Sequence, residues 1–374
     1  MFDYENLRLF TWAVIGVLLI GFIITDGFDM GVAALLPVLG KSEVDRRIMI
    51  NSMAPHWDGN QVWLVTAGGA IFAIWPAIYA AAFSGFYLAM IIVLATLWLR
   101  PLGMDYRAKI DNPQWKKACD IALIVSGFIP PVIFGVGFGN LMIGVPFEFN
   151  ELLMMSYQGG FWDLLTPFPL LCGLVSLAMV VTQGAAFLQM KTTGDLKQRA
   201  QKVIVCMALV TVGLFIVGGI YAYTLPGYLI TSPVVTDGVS NPLLKHVMKF
   251  DDLLLHYPVL WGIPALGIIG MLSCAVMTRL NRAGLAFASS SLSIASIITT
   301  AGVALFPMIM PSSLMPSHSL TLWDGTSSEL TLSIISVVAV IVVPIILGYT
   351  IWCYYKMFGR LDSQYIHDNS SSLY

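Results

Sequence analysis

Ionisable side chains are scarce in this sequence, and those inside apolar stretches fall in a few places. Thr25-Asp26-Gly27-Phe28-Asp29-Met30-Gly31 sets two carboxylates three residues apart within a hydrophobic run, a spacing that puts both on one side of a helix. His56, Asp58, Asn60 and Gln61 open a second run, Arg100 closes a third with Asp105 just beyond it, and Asp120 opens a fourth. A charge within a bilayer is costly unless paired or hydrated, so each of these residues is a candidate for function. Neighbouring carboxylates in a low dielectric repel, so one of Asp26 and Asp29 must keep its proton or find a cation such as Arg100. A chain of such groups can pass protons. Asp58 and Asp120 also suit a plainer role at helix starts, where a carboxylate accepts backbone N–H bonds and offsets the dipole. Asp26 and Asp29 lie inside a span and cannot be caps, which leaves proton handling or an essential ion pair.

His56 has the chemistry of an axial haem ligand. The other histidines, His246, His256, His318 and His367, fall in loops or the tail, so no second intramembrane histidine completes such a site. Cys119, Cys172, Cys206, Cys274 and Cys353 form no C-x-x-C pair and read as small buried hydrophobes. Trp57 and Trp63 flank the polar cluster, while most of the ten tryptophans are what interfacial belts require. Gly135, Gly137 and Gly139 suit close helix approach.

The elements that must position these residues are membrane helices. Of 374 residues, 57% are hydrophobic and 11% charged, against about a quarter charged in soluble domains. A formal charge of −2 offers no basic excess, so nucleic acid is excluded as a partner and lipid is the surroundings to consider. Asp3 and Glu5 stand where a secretory leader would be basic, which predicts that the first span is retained.

A crossing needs about 20 apolar residues, and nine stretches qualify: 7–37, 58–75, 77–100, 119–142, 164–190, 203–225, 258–278, 284–310 and 331–355. Trp75-Pro76 makes an aromatic and proline corner that predicts a helical hairpin of the second and third. Basic residues are retained on the cytoplasmic side, and 16 of the 19 follow odd-numbered spans, leaving Arg8, Lys245 and Lys249 on the other side. That alternation places the N-terminus outside and the C-terminus inside. The acidic cluster then lies toward the cytoplasm. The fold class expected is an all-α polytopic membrane protein, one membrane domain over 1–374, with two four-helix bundles and a ninth, peripheral helix. Two outer loops, 226–257 and 311–330, carry no repeat.

Residues alone also fit a proton- or sodium-coupled secondary transporter, with Gly-flanked Asp26 and Asp29 as the ion site of an interrupted helix. A scaffold whose acids merely hold a dimer together is the third reading. Longer motifs are more specific. The run Arg46-Arg47-Ile48-Met49-Ile50-Asn51-Ser52, followed by Ala54-Pro55-His56-Trp57-Asp58-Gly59-Asn60-Gln61-Val62-Trp63, resembles the signature of cytochrome bd oxidase subunit II. Further matches are Thr25 to Gly31, Ala80 to Tyr87, Phe306-Pro307, Met310-Pro311-Ser312-Ser313, Leu320-Thr321-Leu322-Trp323-Asp324 and Trp352 through Arg360. The likeness covers essentially the whole chain and is closest to the proteobacterial form.

The resemblance implies a heterodimer in the bacterial cytoplasmic (inner) membrane with a similarly folded subunit I, often joined by small single-span accessory subunits. Subunit I would hold two b haems and haem d, oxidise quinol from the pool at the outer face and reduce dioxygen to water. Subunit II would carry no haem, with a structural ubiquinone in some members. The resemblance further implies a cytoplasmic proton route through Asp26, Asp29, Asp58, Arg100 and Asp105, with His56 beside them, and lateral oxygen access near Trp63.

Overall fold

The structure, a computed structural model, describes residues 3–238, 240–250, 261–369 and 373. His256, residues 251–257 of the long outer loop and the first residues of the seventh apolar stretch, 258–260, lie outside the described residues. Helix α1 (Tyr4–Ala34) begins where the Asp3 carboxylate accepts the Asn6 amide at 3.0 Å, and a short α2 (Leu36–Leu39) follows it. The amphipathic α3 (Glu43–Met53) opens on a reciprocal Ser42–Asp45 capping box. Next come α4 (Trp57–Ile74), α5 (Pro76–Gly85) and α6 (Tyr87–Arg107), with a bend of 118° between α4 and α5 at the expected Trp75-Pro76 corner. Then follow α7 (Pro113–Ile143), β1 (Phe147–Phe149), β2 (Met155–Tyr157), α8 (Pro167–Lys191) and α9 (Gly194–Ala222). Strands β3 (Gly227–Ile230) and β4 (Val247–Phe250) precede α10 (Gly262–Arg279) and α11 (Ala283–Leu305). Strands β5 (Met308–Met310) and β6 (Leu320–Thr321), then α12 (Glu329–Lys356) and α13 (Ser363–Asp368), complete the order.

Among the described residues eight of these helices are long and apolar enough to cross a membrane, and counting the bent pair α4–α5 as one crossing brings the number to nine. Several boundaries differ from the sequence reading. The third span does not close at Arg100: α6 runs through Pro101 to Arg107, because a proline forfeits one helical bond without forcing the following turns to unwind. The apolar stretch 77–100 is divided at Phe86 into α5, which belongs to the bent pair with α4, and α6, which is long enough to cross by itself. The eighth ends at Leu305 rather than 310, because Phe306 turns extended (ψ 136°) ahead of Pro307 and Met308–Met310 pair as strand β5.

Helices α8, α9, α10 and α11 pack as a closed ring, each against the next. In the other group α1 lies against α4 and α7, and α6 against α7, while α12 rests on α1 and α4. The expected arrangement of two four-helix groups and a peripheral helix therefore holds. The groups meet along α8, whose residues Ala178 to Gln189 are buried without a break. Glycine makes this approach physically available. A Cβ on Gly31 would stand 2.2 Å from the Val180 carbonyl oxygen, and one on Gly184 2.5 Å from the Gly31 backbone. Gly135 and Gly139 press on α8 in the same way, against Cys172 and Pro169, whereas Gly137 faces open space.

Three antiparallel hairpins, β1–β2, β3–β4 and β5–β6, lie in the connections after even-numbered spans, hence all on the outer face. Hydropathy gave no sign of them. They are tied into one cap: Val145 bridges to Ser312, Phe149 N–H donates to His318 Nδ1 at 3.0 Å, and Lys245 pairs with Asp324 at 2.6 Å. Arg8 anchors the cap to α1. Its buried guanidinium donates to the carbonyls of Thr236 and Gly238, to Ser240 Oγ and to Thr326 Oγ1.

Candidate functional site

Asp26 and Asp29 lie on α1, and both side chains are completely buried. At 1.5 Å per residue, Asp26 stands about 33 Å along the axis from Tyr4, which places the pair toward the cytoplasmic end. Their spacing lets both meet residues of α4 and α6, and the fold answers each differently. Arg100, buried on α6, donates through Nη1 to Asp26 Oδ1 at 2.5 Å. Asn60, on α4, donates through Nδ2 to Asp29 Oδ2 at 2.7 Å. One carboxylate is therefore matched by a full charge and the other by a neutral amide. Asp26 Oδ2, Asp29 Oδ1 and the Nε and Nη2 of Arg100 have no hydrogen-bond partner among the described residues. A buried pair with spare donors and acceptors holds its charges less firmly than a fully bonded one, which suits groups that exchange protons.

His56 precedes α4 and is buried. Its ring stacks on Tyr354 of α12 (centroids 4.6 Å apart, planes 9° apart) and meets Phe28 and Phe187 edge-on. Cys353 Sγ lies 3.8 Å from His56 Nδ1. The Tyr354 hydroxyl continues past the ring and donates to Asn60 Oδ1 at 2.8 Å. Tyr354 was not among the residues singled out from the sequence, because one tyrosine near a span end looks like any other of the fourteen.

The remaining candidates are not gathered into this cluster. Asp58, in the first turn of α4, is exposed, and Asp105 is half-buried near the end of α6. Neither makes a hydrogen bond or ion pair among the described residues. Asp120 does not open its helix. Asn112 caps α7 by accepting the Gln114 amide at 2.8 Å, and Asp120 sits two turns further in. There it takes Arg107 Nε at 2.7 Å and Arg46 Nη1 at 2.8 Å, and Arg107 also holds both oxygens of Glu43, at 2.7 and 2.9 Å. Those bonds from Arg107 keep the Glu43 carboxyl below the usual range. This ion-pair network joins α3, α6 and α7 at the inner face, a structural role that neither capping nor proton passage describes.

Trp63, on α4, is buried, its ring pressed on α1 so closely that a Cβ at Gly21 would stand 2.4 Å from the indole. It is an internal plug between α1 and α4. Nearby opens an apolar cavity of about 1210 Å³ that runs between the two helix groups, lined by residues such as Phe22, Leu94, Phe134, Met179, Phe215 and Phe306. Tyr228, Leu229 and Ile230 of β3 line it at its outer end.

These features define a predominantly helical, polytopic membrane protein with a buried acid pair toward its inner face. Residues 7–357 match the family model described as cytochrome bd terminal oxidase subunit II. The chain belongs to that family. It is 54% identical over the full length of both chains to the "Probable cytochrome oxidase subunit 2" of Haemophilus influenzae. It is likewise 52% identical, end to end, to the "Cytochrome bd-I ubiquinol oxidase subunit 2" of Escherichia coli K12. The Bacillus subtilis "Cytochrome bd ubiquinol oxidase subunit 2" is 30% identical over 93% of this chain and 95% of its own. A chain of the solved bd oxidase from Geobacillus thermodenitrificans shares the fold, with a TM-score of 0.69 at 17% identity over 95% of this chain and all of that one. Family membership sets aside the ion-coupled transporter reading.

Proposed function

We propose that this chain is the haem-free subunit of a quinol:oxygen oxidoreductase of the bacterial inner membrane, paired with a subunit I that carries two b haems and haem d. Its work is to bring protons from the cytoplasm toward that partner and to admit oxygen from the lipid phase. The names of the E. coli and B. subtilis relatives support quinol as the electron donor. Water formation consumes protons, and taking them from inside while quinol releases its own outside makes the reaction electrogenic without a pump.

The observation that carries this reading is the Asp26–Asp29 pair, fully buried toward the cytoplasmic end and only partly satisfied by Arg100 and Asn60. Asp26 with Arg100 holds a fixed charge. Asp29, matched by a neutral donor, is the group free to take and release a proton. Asp58 and Asp105, on outward-facing surfaces at the same end, belong to the mouth of the route rather than to its buried segment.

The residues of this chain do not fit a haem. His56, which alone among the described histidines adjoins a span, is enclosed by Phe28, Phe187 and Tyr354. They do fit a quinone with an isoprenoid tail, because the cavity is long, apolar and walled by aromatic rings. Bound there, the quinone would be structural, and Phe134, Phe215 and Tyr228 are residues that would hold it. Trp63, as a plug against Gly21, controls the way between lipid and the interior.

The test is Asp29→Asn in the assembled complex. Unaltered haem spectra with depressed quinol-dependent oxygen uptake support the reading; unchanged uptake overturns it.

A further inference from the structure

Helix α12 is, with α9, among the least buried of the spans, yet its C-terminal end is tied down. Lys191, at the end of α8, donates through Nζ to the Met357 carbonyl, and Leu361 N–H donates back to the Lys191 carbonyl at 2.7 Å. Leu361 also bridges to Thr192, and α13 beyond it packs on α3. This strap lies just beyond Tyr354, which α12 sends into the polar cluster beside Cys353. Tyr354 stacks on His56, and its hydroxyl donates to Asn60 Oδ1 at 2.8 Å.

A primary amide has one accepting and one donating end. With the Tyr354 hydroxyl donating to Oδ1, Asn60 turns its Nδ2 hydrogens toward α1, and one of them meets Asp29 Oδ2 at 2.7 Å. We infer that Tyr354 is a positioning residue for Asp29: by fixing which way the Asn60 amide points, the terminal helix sets the hydrogen bond that the proton-handling carboxylate receives. Without the hydroxyl the amide is free to reverse and present its oxygen to Asp29, where two acceptors would repel.

Other charged or titratable groups near Asp29 do not substitute for this control. Asp26 is engaged by Arg100 from α6, and Asp120 of α7 by Arg46 and Arg107. His56 and Cys353 face each other, and Lys191 of α8 is turned to Met357. Asn60 is the sole donor to the Asp29 carboxylate among the described residues.

The inference rests on the reading that Asp29 handles protons, and its test separates the two. Infrared spectra of the purified, haem-loaded complex are expected to contain a carboxyl band that Asp29→Asn removes. Tyr354→Phe keeps the ring on His56 and removes only the hydroxyl. The expected result is that this band shifts in Tyr354→Phe, that Asn60→Ser shifts it too, and that kcat falls severalfold in Tyr354→Phe while the KM for quinol and the haem spectrum stay put. An Asp29 band unmoved in Tyr354→Phe overturns the inference. If Asp29→Asn itself turns over normally, the proton reading fails, and the band comparison alone still decides whether Tyr354 positions the carboxylate.

Discussion

Arg100 reaches from α6 to Asp26 on α1 at 2.5 Å, and neither side chain exposes any surface. The contact joins α6 to α1 and sets a full positive charge against Asp26. Removing one partner of such a pair strands a charge in a low dielectric, at a cost of about 3–5 kcal/mol, whereas removing both is far milder. Arg100→Gln should therefore lower the amount of assembled complex sharply. Asp26→Asn combined with Arg100→Gln should recover most of it, as read by haem content per unit of membrane protein.

Asp29→Asn is expected to leave assembly intact, because an amide of the same shape still meets Asn60. Turnover should fall by about tenfold or more, the lower range for losing a positioned proton-transfer group being about a hundredfold in the step it serves. Oxygen uptake with saturating quinol measures it.

Trp63→Ala opens space between α1 and α4 and should destabilise by about 3–5 kcal/mol, seen as a lower unfolding temperature in detergent. Changing the plug should also change the oxygen dependence of the rate. An apparent oxygen affinity identical to the parent in both Trp63→Ala and Trp63→Phe would remove Trp63 from the oxygen route.

Gly31→Leu and Gly184→Leu each drive a side chain into backbone at the crossing of α1 and α8, where even a Cβ is closer than contact allows. Either variant should be absent from the assembled complex. Gly137→Leu, whose Cβ meets nothing within 4 Å, should assemble normally in the same pull-down.

Glu43 gives the inner-face network an acid dependence of defined sign. Arg107 holds its carboxyl below the ordinary value, so the contribution is fully present above the unfolded value of about 4.3. It is lost as pH falls through the lower, folded value. Glu43→Gln should flatten the acid limb of the thermal-stability profile, and only slightly, because half of the side chain is solvent-facing and screened.

Local, additive properties were legible in the amino-acid order. Apolar run length gave the spans, and lysine and arginine counts gave their orientation, because insertion reads hydropathy and charge segment by segment. The Asp26–Asp29 pair was legible for the same reason: a carboxylate within an apolar run is conspicuous wherever its helix turns. Motif likeness carried the family. Which side chains meet follows from helix packing. A membrane helix is apolar on every side, so no periodic stripe tells which face is inward. Asp58 therefore read as a member of the cluster and proves exposed. Asp120 read as a cap and proves to be the centre of a network with Arg46 and Arg107. Tyr354, some 294 residues from Asn60, became visible only when α12 was laid against α1 and α4. Rotation of one helix about its axis moves every side chain on it, and packing alone fixes that rotation.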